Sequence, residues 1–389
     1  MNGAGRSAYA GAAIVGVAES DLGITDMSAL GLQAQAVVRA LDDAGLALSD
    51  VDGVATVGVP RFPAVQVAEY LGVRPTWSES TFTGGSSFEV MTARAAAAIT
   101  AGHAEVVVVG YGSNQRSARS RSLAGVLDPM QPESQFDAPY GALSPVSLYA
   151  LAAQRHMHDH GTTAEQLAEI AVAAREWALL NPKAFRYGAG PLTVDGVLGS
   201  RSISSPLHVL DCCLVTDGGG AVVLTSLDRA RDLRRAPVRV LGAGECSTHH
   251  GFTQVPDLSL TGAAAAGAGA FRQSGLKPDD IDVVQIYDSF TITALLSLEA
   301  LGFCGRGEGG DFVAGGRLRP GGDFPLNTTG GGLSYCHPGM FGIFLIIEAV
   351  RQLRGESGER QIERAETALC HGTGGILSHH ATLVLGVHR

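Results

Sequence analysis

The hydrophobic and polar positions near the N-terminus follow a helical period and then the pattern of a buried strand. The helical part places its apolar side chains three and four positions apart, at Leu30, Ala34, Val37, Val38 and Leu41. Gly45 follows where such a helix would end, and glycine is the usual residue just past a helix C-terminus. The apolar run VDGVATV at 51–57 then predicts a short buried strand.

Further segments repeat this alternation of helix and strand. The runs VVVVG at 106–110 and AVVLTS at 221–226 predict strands. Thr163 is well placed to cap a helix over 164–181, which must end before Pro182. Buried strands that alternate with helices predict an α/β protein whose largely parallel sheet is covered by helices on both faces.

The chain also contains an internal repeat. Residues 40–56 match residues 270–286 at a constant separation of 230 positions, and each copy predicts a helix, a Gly stop, a short turn and a strand. Other segments match in the same order: 14–20 with 240–246, 95–102 with 346–355, and 104–112 with 365–375. The separation grows mainly across the Gly/Arg-rich residues 302–324, which we predict to form a long loop, a kind of segment that is often functional.

The repeat predicts a duplicated fold with an insertion. We assign residues 1–112 with 206–230 to an N-terminal half, residues 231–389 to a C-terminal half, and residues 113–205 to a loop domain between them.

Composition and charge exclude several classes of protein. With 389 residues, 45% of them hydrophobic, the chain can bury a large core and is not disordered. A net charge of −10 without a Lys/Arg cluster argues against a nucleic-acid partner. We find neither a signal peptide nor an apolar run long enough to span a membrane, and so expect a cytoplasmic protein with no membrane partner. The six Cys lack the spacing of a zinc site, so free thiols and no metal are expected.

Three glycine-rich segments follow the repeats in a fixed order: TDGGGAVVL, GGGLSYCHPGMFG and ALCHGTGG. Together with the duplication, they resemble the thiolase superfamily over essentially the whole chain, especially its lipid-transfer-protein-associated branch. The resemblance implies duplicated βαβ repeats in a layered αβαβα architecture with an inserted loop domain. It also implies a reaction site where the two halves meet.

The sequence departs from that family at the position of the nucleophilic cysteine. Alignment of the helix that ends at residue 102 places this position at Gly85, in TGGSSFEV. A glycine cannot form an acyl-enzyme, so ordinary acyl transfer is not expected. Ser86 and Ser87 are the nearest hydroxyls, but a serine at a helix start is more often a cap than a nucleophile.

The remaining motifs imply four site residues. His337 and Cys370 match the family's histidine and second cysteine, although without the first cysteine the role of Cys370 is doubtful. In VVQIYDSF, Tyr287 replaces the family's His or Asn, and Tyr335 adds a second phenol beside His337. The absence of the nucleophile together with these two tyrosines resembles the steroid side-chain retro-aldolases of the superfamily. That resemblance implies a DUF35 partner, with an OB-fold and a zinc ribbon, and a homodimer within a heterotetramer.

Such an enzyme would cleave a β-hydroxyacyl-CoA, for this family a 17-hydroxy steroid 20-carboxyl-CoA, into a ketone and a shorter acyl-CoA. Acid/base catalysis by the two tyrosines suffices because the thioester itself accepts the electrons, so no separate cofactor is expected. An imine mechanism would need Lys183 or Lys277, the two lysines of the chain, and both lie outside the repeat motifs. Three loop arginines, Arg116, Arg119 and Arg121, are candidates for contact with the CoA phosphates.

Two other functions remain open at this point. One is a thiolase or acyltransferase that uses Cys370 or a serine as an unusual nucleophile. The other is a catalytically silent subunit that binds CoA as a scaffold. A covalent acyl adduct would identify the first, and binding without turnover would identify the second.

Overall fold

The computed structural model describes residues 8–57, 61–120, 129–141, 145–259 and 261–387. The strands are β1 (Ala12–Glu19), β2 (Gly53–Thr56), β3 (Trp77–Ser80), β4 (Val106–Ser113), β5 (Ser202–Ser204), β6 (Leu207–His208), β7 (Gly218–Ser226), β8 (Val238–Ser247), β9 (Val283–Ile286), β10 (Thr367–Gly374) and β11 (His379–Val387). The helices are α1 (Ala29–Ala44), α2 (Pro63–Leu71), α3 (Ser87–Thr100), α4 (Pro145–His160), α5 (Ala164–Leu179), α6 (Val194–Leu198), α7 (Leu227–Ala230), α8 (Ala263–Ser274), α9 (Thr291–Ala300), α10 (Gly309–Val313) and α11 (Gly342–Arg354).

Nine of the described strands form one mixed sheet in the order β3-β2-β4-β7-β1-β8-β11-β10-β9. The expectation of a largely parallel sheet is wrong, because β7 and β11 run antiparallel to both of their neighbours. Parallel pairs remain where β2 meets β3 and β4, and where β9 meets β10. A short pairing of β1 with β8, at Ala13 with Arg239 and Ile14 with Val238, joins the two halves.

Helices and strands alternate in five layers, as expected. On the first-half strands, one set of alternate side chains packs on α1 and α2, and the other set packs on α3 and α11. The strands of the second half meet α3 and α11 from the opposite side. Helix α8 covers the outer face of β8 and β11, and apolar side chains of α9 pack with those of β9 and β10. The N-terminal ends of α3 and α11 therefore lie in the central layer, enclosed by both halves.

The two halves reproduce each other in detail, which confirms the duplication. Asp52 accepts hydrogen bonds from the backbone N–H groups of residues 105 and 106, at 2.8–3.0 Å. Asp282 does the same for residues 366 and 367, at 2.9 and 3.0 Å. Each carboxylate therefore ties the start of its strand to the next parallel strand. Gly16 and Gly242 also correspond, since a Cβ on either would collide with the carbonyl oxygen of Ala40 or Ala270 in the covering helix.

The segment assigned to the loop domain contains α4, α5 and α6. Thr163 caps α5 as predicted, because its hydroxyl accepts the N–H of Gln166 at 3.3 Å. Apolar side chains of α4 and α5 pack on α9, so this segment covers the outer face of the second half. The division of the chain into an N-terminal half, a loop domain and a C-terminal half at the residue numbers given above stays a prediction. Within the described ranges, no helix is long and apolar enough to cross a membrane.

Candidate active site

The turn before α3 holds glycine where the thiolase resemblance puts a nucleophile, and the space beside this glycine is filled. A Cβ added to Gly85 would lie 2.6 Å from Cζ of Tyr287 and 2.6 Å from the carbonyl oxygen of Thr373. The phenol ring of Tyr287 therefore occupies the room that a side chain at position 85 would need. Neither a cysteine nor an alanine fits at position 85 unless this ring moves.

The two serines of this turn hydrogen-bond to backbone groups of the turn, and Ser86 also contacts a histidine of β11. Ser86 Oγ donates to the carbonyl oxygen of Thr83 at 2.8 Å and lies 2.9 Å from Nδ1 of His379. Ser87 Oγ donates to the carbonyl oxygen of Gly84 at 2.7 Å and accepts the N–H of Thr83 at 2.9 Å. Both side chains thus hold the turn before α3 together, but Ser86, at the N-cap position, makes no side-chain hydrogen bond to an N–H of the helix, so the capping expected from the sequence is not seen there.

Tyr287 and His337 form a buried hydrogen-bonded pair. Tyr287 follows β9, and its N–H donates to the carbonyl oxygen of His371 at 2.9 Å, which fixes the phenol at the end of the strand. Its hydroxyl lies 2.8 Å from Nε2 of His337. Burial, and then the nearby thiol of Cys213, raise the pKa of Tyr287 well above its usual value. The phenol is therefore protonated near neutral pH, and its proton can be exchanged with the imidazole.

The glycine-rich loop that carries His337 is held by Asp288, the residue after Tyr287. The Oδ1 atom of Asp288 accepts the N–H of Gly332 at 2.7 Å, and Oδ2 accepts the N–H of Leu333 at 3.4 Å. A Cβ on Gly331 would collide with this carboxyl group. Burial raises the pKa of Asp288 to about 7, although these hydrogen bonds oppose the shift. One carboxyl group thus links the backbone segments that carry Tyr287 and His337, a function that our sequence analysis missed.

Tyr335 lies in the same aromatic cluster, but its hydroxyl has a different partner. The rings of Tyr287, Tyr335 and His337 surround Phe341, with centroids 6.0, 6.4 and 6.5 Å from its own. The Tyr335 hydroxyl donates to Oε1 of Glu19 at 2.8 Å. Three of the four predicted site residues are therefore brought together, while the two phenols bind different acid/base groups.

Glu19 is a buried charge that the sequence analysis did not select. It ends β1, and its carboxylate accepts bonds from the Arg351 guanidinium and, at 3.0 Å, from Nζ of Lys183. Although burial opposes the change, the ion pairs with Arg351 and then Lys183 hold the pKa of Glu19 well below its usual range. The carboxylate therefore stays ionised and joins the first half, the loop domain and the second half at one point.

Cys370 packs in the same buried core as the aromatic rings of the site, but its thiol has contacts of its own. It lies in β10, fully buried in the core, and its thiol contacts the carbonyl oxygen of Leu345 at 3.5 Å. Burial, and then Glu89, raise the pKa of Cys370 well above the usual thiol value. Glu89 itself is a buried carboxyl whose oxygens have no hydrogen-bond partner among the described residues, and burial raises its pKa to about 8. A thiol in this environment is a poor nucleophile because its thiolate is strongly disfavoured.

The three arginines predicted to contact CoA differ in what surrounds them. Arg116 is exposed, and its guanidinium lies over the ring of Phe185, 5.0 Å from the centroid. Asp217 accepts its backbone N–H at 3.0 Å, which anchors the segment. Arg119 is exposed beside it, in a left-handed backbone conformation with φ of 49°. Arg121 lies outside the described residues.

Two further arginines, which the sequence analysis did not select, lie close to Arg116. The guanidinium of Arg186 packs on the same Phe185 ring at 5.7 Å. Burial, and then Arg186, lower the pKa of Arg175. Arg175 donates from Nη1 to the carbonyl oxygen of Gly190 at 3.2 Å, neither guanidinium pairs with a carboxylate among the described residues, and each has a buried Nε atom without a hydrogen-bond partner there. The N–H of Arg186 donates to the carbonyl oxygen of Ser334 at 3.1 Å, so this basic cluster adjoins the loop of Tyr335 and His337.

Metal-ligating side chains are not assembled in the part of the chain that the structure describes. No group of three or more His, Cys, Asp or Glu there is arranged to hold an ion. The adjacent His371 and His380 instead stack on each other, with Nε2 and Nδ1 3.2 Å apart.

Comparison with known proteins gives full-length relatives. The family described as Thiolase C-terminal domain-like matches residues 244–387. The 17-hydroxy-3-oxo-4-pregnene-20-carboxyl-CoA lyase of Mycobacterium tuberculosis is 39% identical over 360 residues, which cover 89% of this chain and 92% of that protein. The steroid side-chain-cleaving aldolase of Thermomonospora curvata is 38% identical over 393 residues, covering 97% and 98% of the two chains.

A solved structure described as an Ltp2-ChsH2(DUF35) aldolase superimposes with a TM-score of 0.88 at 36% identity, covering 97% of this chain and 98% of that one. The expected thiolase-like layered fold is thereby confirmed, and so is the expected membership of the lyase branch. The chain belongs to the thiolase superfamily and, within it, to the family of thiolase-fold lyases that includes the steroid side-chain-cleaving aldolases.

Proposed function

We propose that this protein cleaves a 17-hydroxy steroid 20-carboxyl-CoA by a retro-aldol reaction that releases a 17-keto steroid and a shorter acyl-CoA. The substrate class follows the name of the Mycobacterium tuberculosis relative, which is similar over nearly the whole chain. The family-level activity is a lyase, and the steroid thioester is the specific substrate of this proposal.

The observation that supports this reaction best is the placement of Tyr287 in the space beside Gly85. An enzyme that forms an acyl intermediate needs a nucleophile at this point, and here a proton-transfer group fills the room instead. The hydrogen bond of Tyr287 to His337 gives that group a partner with which to exchange its proton. A retro-aldol cleavage needs proton transfer and enolate stabilisation, and it needs no acyl-enzyme.

The reaction balances without a further reactant. A base takes the proton of the β-hydroxyl, the C–O bond becomes a carbonyl, and the carbon–carbon bond electrons move into the thioester as an enolate. An acid then protonates the enolate carbon, so the overall reaction neither consumes nor releases a proton. We propose Tyr287, Tyr335 and His337 for these transfers. No separate cofactor is needed because the thioester is the electron acceptor.

Acyl transfer through another nucleophile has less support. Cys370 is buried, and its pKa is raised well above that of a free thiol. Ser86 and Ser87 donate their hydroxyls to backbone carbonyls of their own turn. Intact-mass analysis after incubation with acyl-CoA should therefore show no covalent adduct.

The arginines beside the loop of Tyr335 are proposed to bind the CoA phosphates. Arg175 and Arg186 repel each other and lack a carboxylate partner among the described residues, a condition that an anion bound between them would relieve. Arg116 extends this cluster at the surface. Arg119 and Arg121 remain part of the same proposal on the basis of sequence.

We also propose two protein partners. The solved relative pairs with a DUF35 protein, and large exposed apolar side chains on 129–141, namely Met130, Phe136 and Tyr140, support docking of a partner there. A second copy of this chain is proposed at the sheet edge formed by β3. That edge is flanked by Phe62, Val65 and Phe82, which are 72%, 59% and 63% exposed.

The test of the proposed function is turnover of a 17-hydroxy steroid 20-carboxyl-CoA by the chain alone and by the chain co-expressed with a neighbouring DUF35 protein. Mass spectrometry should detect a 17-keto steroid and the shorter acyl-CoA in equal amounts. Replacement of Tyr287 by Phe should lower kcat by about 10²–10⁴-fold, the usual contribution of a proton-transfer group. Absence of both products in every preparation, or full activity of the Phe variant, would contradict the proposal.

A further inference from the structure

Asp217 is a buried carboxylate that holds the turn carrying Arg116. Its Oδ1 atom accepts the backbone N–H groups of Arg116 and Ser117 at 3.0 and 2.9 Å. Its Oδ2 atom accepts the N–H of Thr25 at 2.9 Å and also the hydroxyl of Ser117. One carboxylate thus joins the turn of Arg116 to a separate segment of the first half.

These hydrogen bonds require the ionised form of Asp217. A carboxylate offers two oxygens that accept without donating, so both sides of the group can bind N–H donors. Although burial opposes the change, the hydrogen bonds from Ser117 and then Thr25 hold the pKa of Asp217 below its usual value. An amide in its place would accept through one atom only and would direct its NH₂ group at another donor. Asp217→Asn therefore loosens the turn while keeping almost the same volume.

The turn presents the Arg116 guanidinium at the surface. Its Nη1 atom donates to the carbonyl oxygen of Val215 at 2.9 Å, and the guanidinium lies over the ring of Phe185, 5.0 Å from the centroid. Arg186 packs on the same ring at 5.7 Å. The N–H of Phe185 donates to the carbonyl oxygen of Tyr335 at 2.9 Å. Two cations therefore share one aromatic ring beside the loop that carries the reaction site.

The positive charge of this cluster is not neutralised by an ion pair. None of the guanidiniums of Arg116, Arg175 and Arg186 pairs with a carboxylate among the described residues. Carbonyl oxygens and an aromatic ring stabilise a guanidinium but carry no net charge. Burial, and then Arg186, lower the pKa of Arg175, which shows that the cations repel each other. A phosphate group bound among them would relieve this repulsion.

We propose that Asp217 is a positioning residue for the nucleotide end of the CoA thioester, because it fixes the turn that presents Arg116 beside Arg186. This inference rests on the proposed function, in which these arginines bind the CoA phosphates. Asp217 does not bind a phosphate itself, since both groups are anions. It acts through Arg116, and the acyl end of the substrate does not depend on it.

The preceding residue serves the reacting end of the substrate, which makes the two ends separable. Thr216 Oγ1 accepts the N–H of His337 at 3.0 Å, and the N–H of Thr216 donates to the carbonyl oxygen of His337 at 3.3 Å. A disturbance that spreads from Asp217 along the backbone would therefore reach His337 and lower kcat. A disturbance confined to the turn of Arg116 changes only the binding of the nucleotide.

Two substrates with the same acyl group distinguish these cases. One is the steroid CoA thioester, and the other carries the acyl group on N-acetylcysteamine, which has no phosphate. For Asp217→Asn we expect KM of the CoA thioester to rise about tenfold with kcat within about threefold, because one charge-assisted hydrogen bond to phosphate is lost. Both constants for the N-acetylcysteamine thioester should stay within about threefold of the wild type. Arg116→Gln should show the same pattern.

Titration calorimetry with CoA itself measures binding without turnover. The dissociation constant for CoA should rise about tenfold in Asp217→Asn and in Arg116→Gln. All measurements use the full chain, co-expressed with the neighbouring DUF35 protein. Ser117→Ala carries the test if Asp217→Asn does not fold. Ser117 is exposed, and its hydroxyl is one of the donors to Asp217, so its loss should weaken CoA binding about threefold.

Asp52→Asn is the matched control. Asp52 also accepts backbone N–H groups, those of residues 105 and 106, but these lie at the start of β4, whereas the turn of Arg116 follows the end of that strand. This control should leave KM of both thioesters and the binding of CoA unchanged.

The outcomes distinguish the inference from the proposed function. An equal loss on both thioesters in Asp217→Asn would assign the effect to His337 and overturn the inference. Unchanged or tighter CoA binding in that variant overturns it as well, since the charge of Asp217 would then matter more than its hydrogen bonds. If the wild type cleaves neither thioester, the proposed function fails, while the CoA titration still tests Asp217.

Discussion

A methyl group at position 85 should disable the site by displacing Tyr287. The Cβ of Gly85→Ala would lie 2.6 Å from Cζ of Tyr287, whereas ordinary contacts begin at 3.4 Å, so the ring must move by about 1 Å. The hydrogen bond of the Tyr287 hydroxyl to His337 is 2.8 Å long, and such a shift stretches it beyond a useful length. Overpacking of this kind costs roughly 1–3 kcal/mol of stability. The lower entropy of the unfolded Ala variant returns about 0.4–1 kcal/mol of that loss.

The measurements are kcat for steroid thioester cleavage and the free energy of unfolding in denaturant. We expect kcat of Gly85→Ala to fall by about 10²–10⁴-fold, as for Tyr287→Phe, because both variants remove the same proton-transfer group. The matched control is Gly188→Ala, since a Cβ at Gly188 meets no atom within 4 Å. This control should keep full activity.

Gly85→Cys should behave as Gly85→Ala does and gain no acyl transfer, since its thiol would have to occupy the space of the Tyr287 ring. Wild-type cleavage by Gly85→Ala would refute the steric reasoning. A covalent acyl adduct on Gly85→Cys together with normal cleavage would refute it as well.

Three other predictions address the buried and charged groups around the site. Glu89→Gln should stabilise the protein at neutral pH. The pKa of Glu89 in the folded protein is about 8, above the ordinary value of 4.5, so the free energy of unfolding of the wild type falls as pH rises between these values, by up to about 3 kcal/mol at pH 7. Unfolding of both proteins from pH 5 to 9 should show that the difference between their free energies of unfolding widens with pH. An unchanged difference would contradict this. Cys370→Ala should keep kcat within about threefold, because the thiol is buried and its pKa is raised, and a loss of 100-fold or more would restore the catalytic role inferred from the resemblance. Arg186→Gln should raise KM for the CoA thioester about tenfold or more with little change in kcat, because it removes one charge-assisted hydrogen bond. The control Arg231→Gln, at an exposed arginine, should leave KM unchanged. Equal KM values for the two variants would remove Arg186 from the CoA site.

The sequence was most informative where the pattern is local. The helix ahead of Gly45 and the strand after it were predictable from spacing and glycine chemistry, and the repeat carried both elements over to Gly275 and β9. Strand direction was not predictable in this way, because an apolar run shows that a strand is buried but not how its neighbour runs. The error in the sheet therefore lies at β7 and β11.

For the site as well, the sequence predicts local motifs but not contacts between distant residues. The Tyr287 and His337 positions came from motifs, and the structure supplies the contact between them. Glu19 meets Arg351 across 332 positions of sequence, and neither lies in a recognisable motif. Only folding brings such a pair together. A single signal was available for Glu89, which begins the largely apolar helix segment EVMTARAAAAI, where Arg94 is the other charged residue and an ionised group would be costly to bury.

The mutual exclusion of a side chain at position 85 and the ring of Tyr287 also constrains the order in which substitutions can accumulate. A tyrosine introduced at position 287 while position 85 still bears a cysteine meets an occupied space, and a cysteine restored at position 85 meets the tyrosine. Each change needs the other position to become small, and a side chain at position 85 also needs the Thr373 carbonyl oxygen, 2.6 Å from its Cβ, to move. Conversion between acyl-transfer and lyase chemistry on this scaffold therefore requires coordinated changes at positions 85 and 287 and in the backbone at Thr373, and libraries that vary the two positions independently will consist largely of inactive combinations.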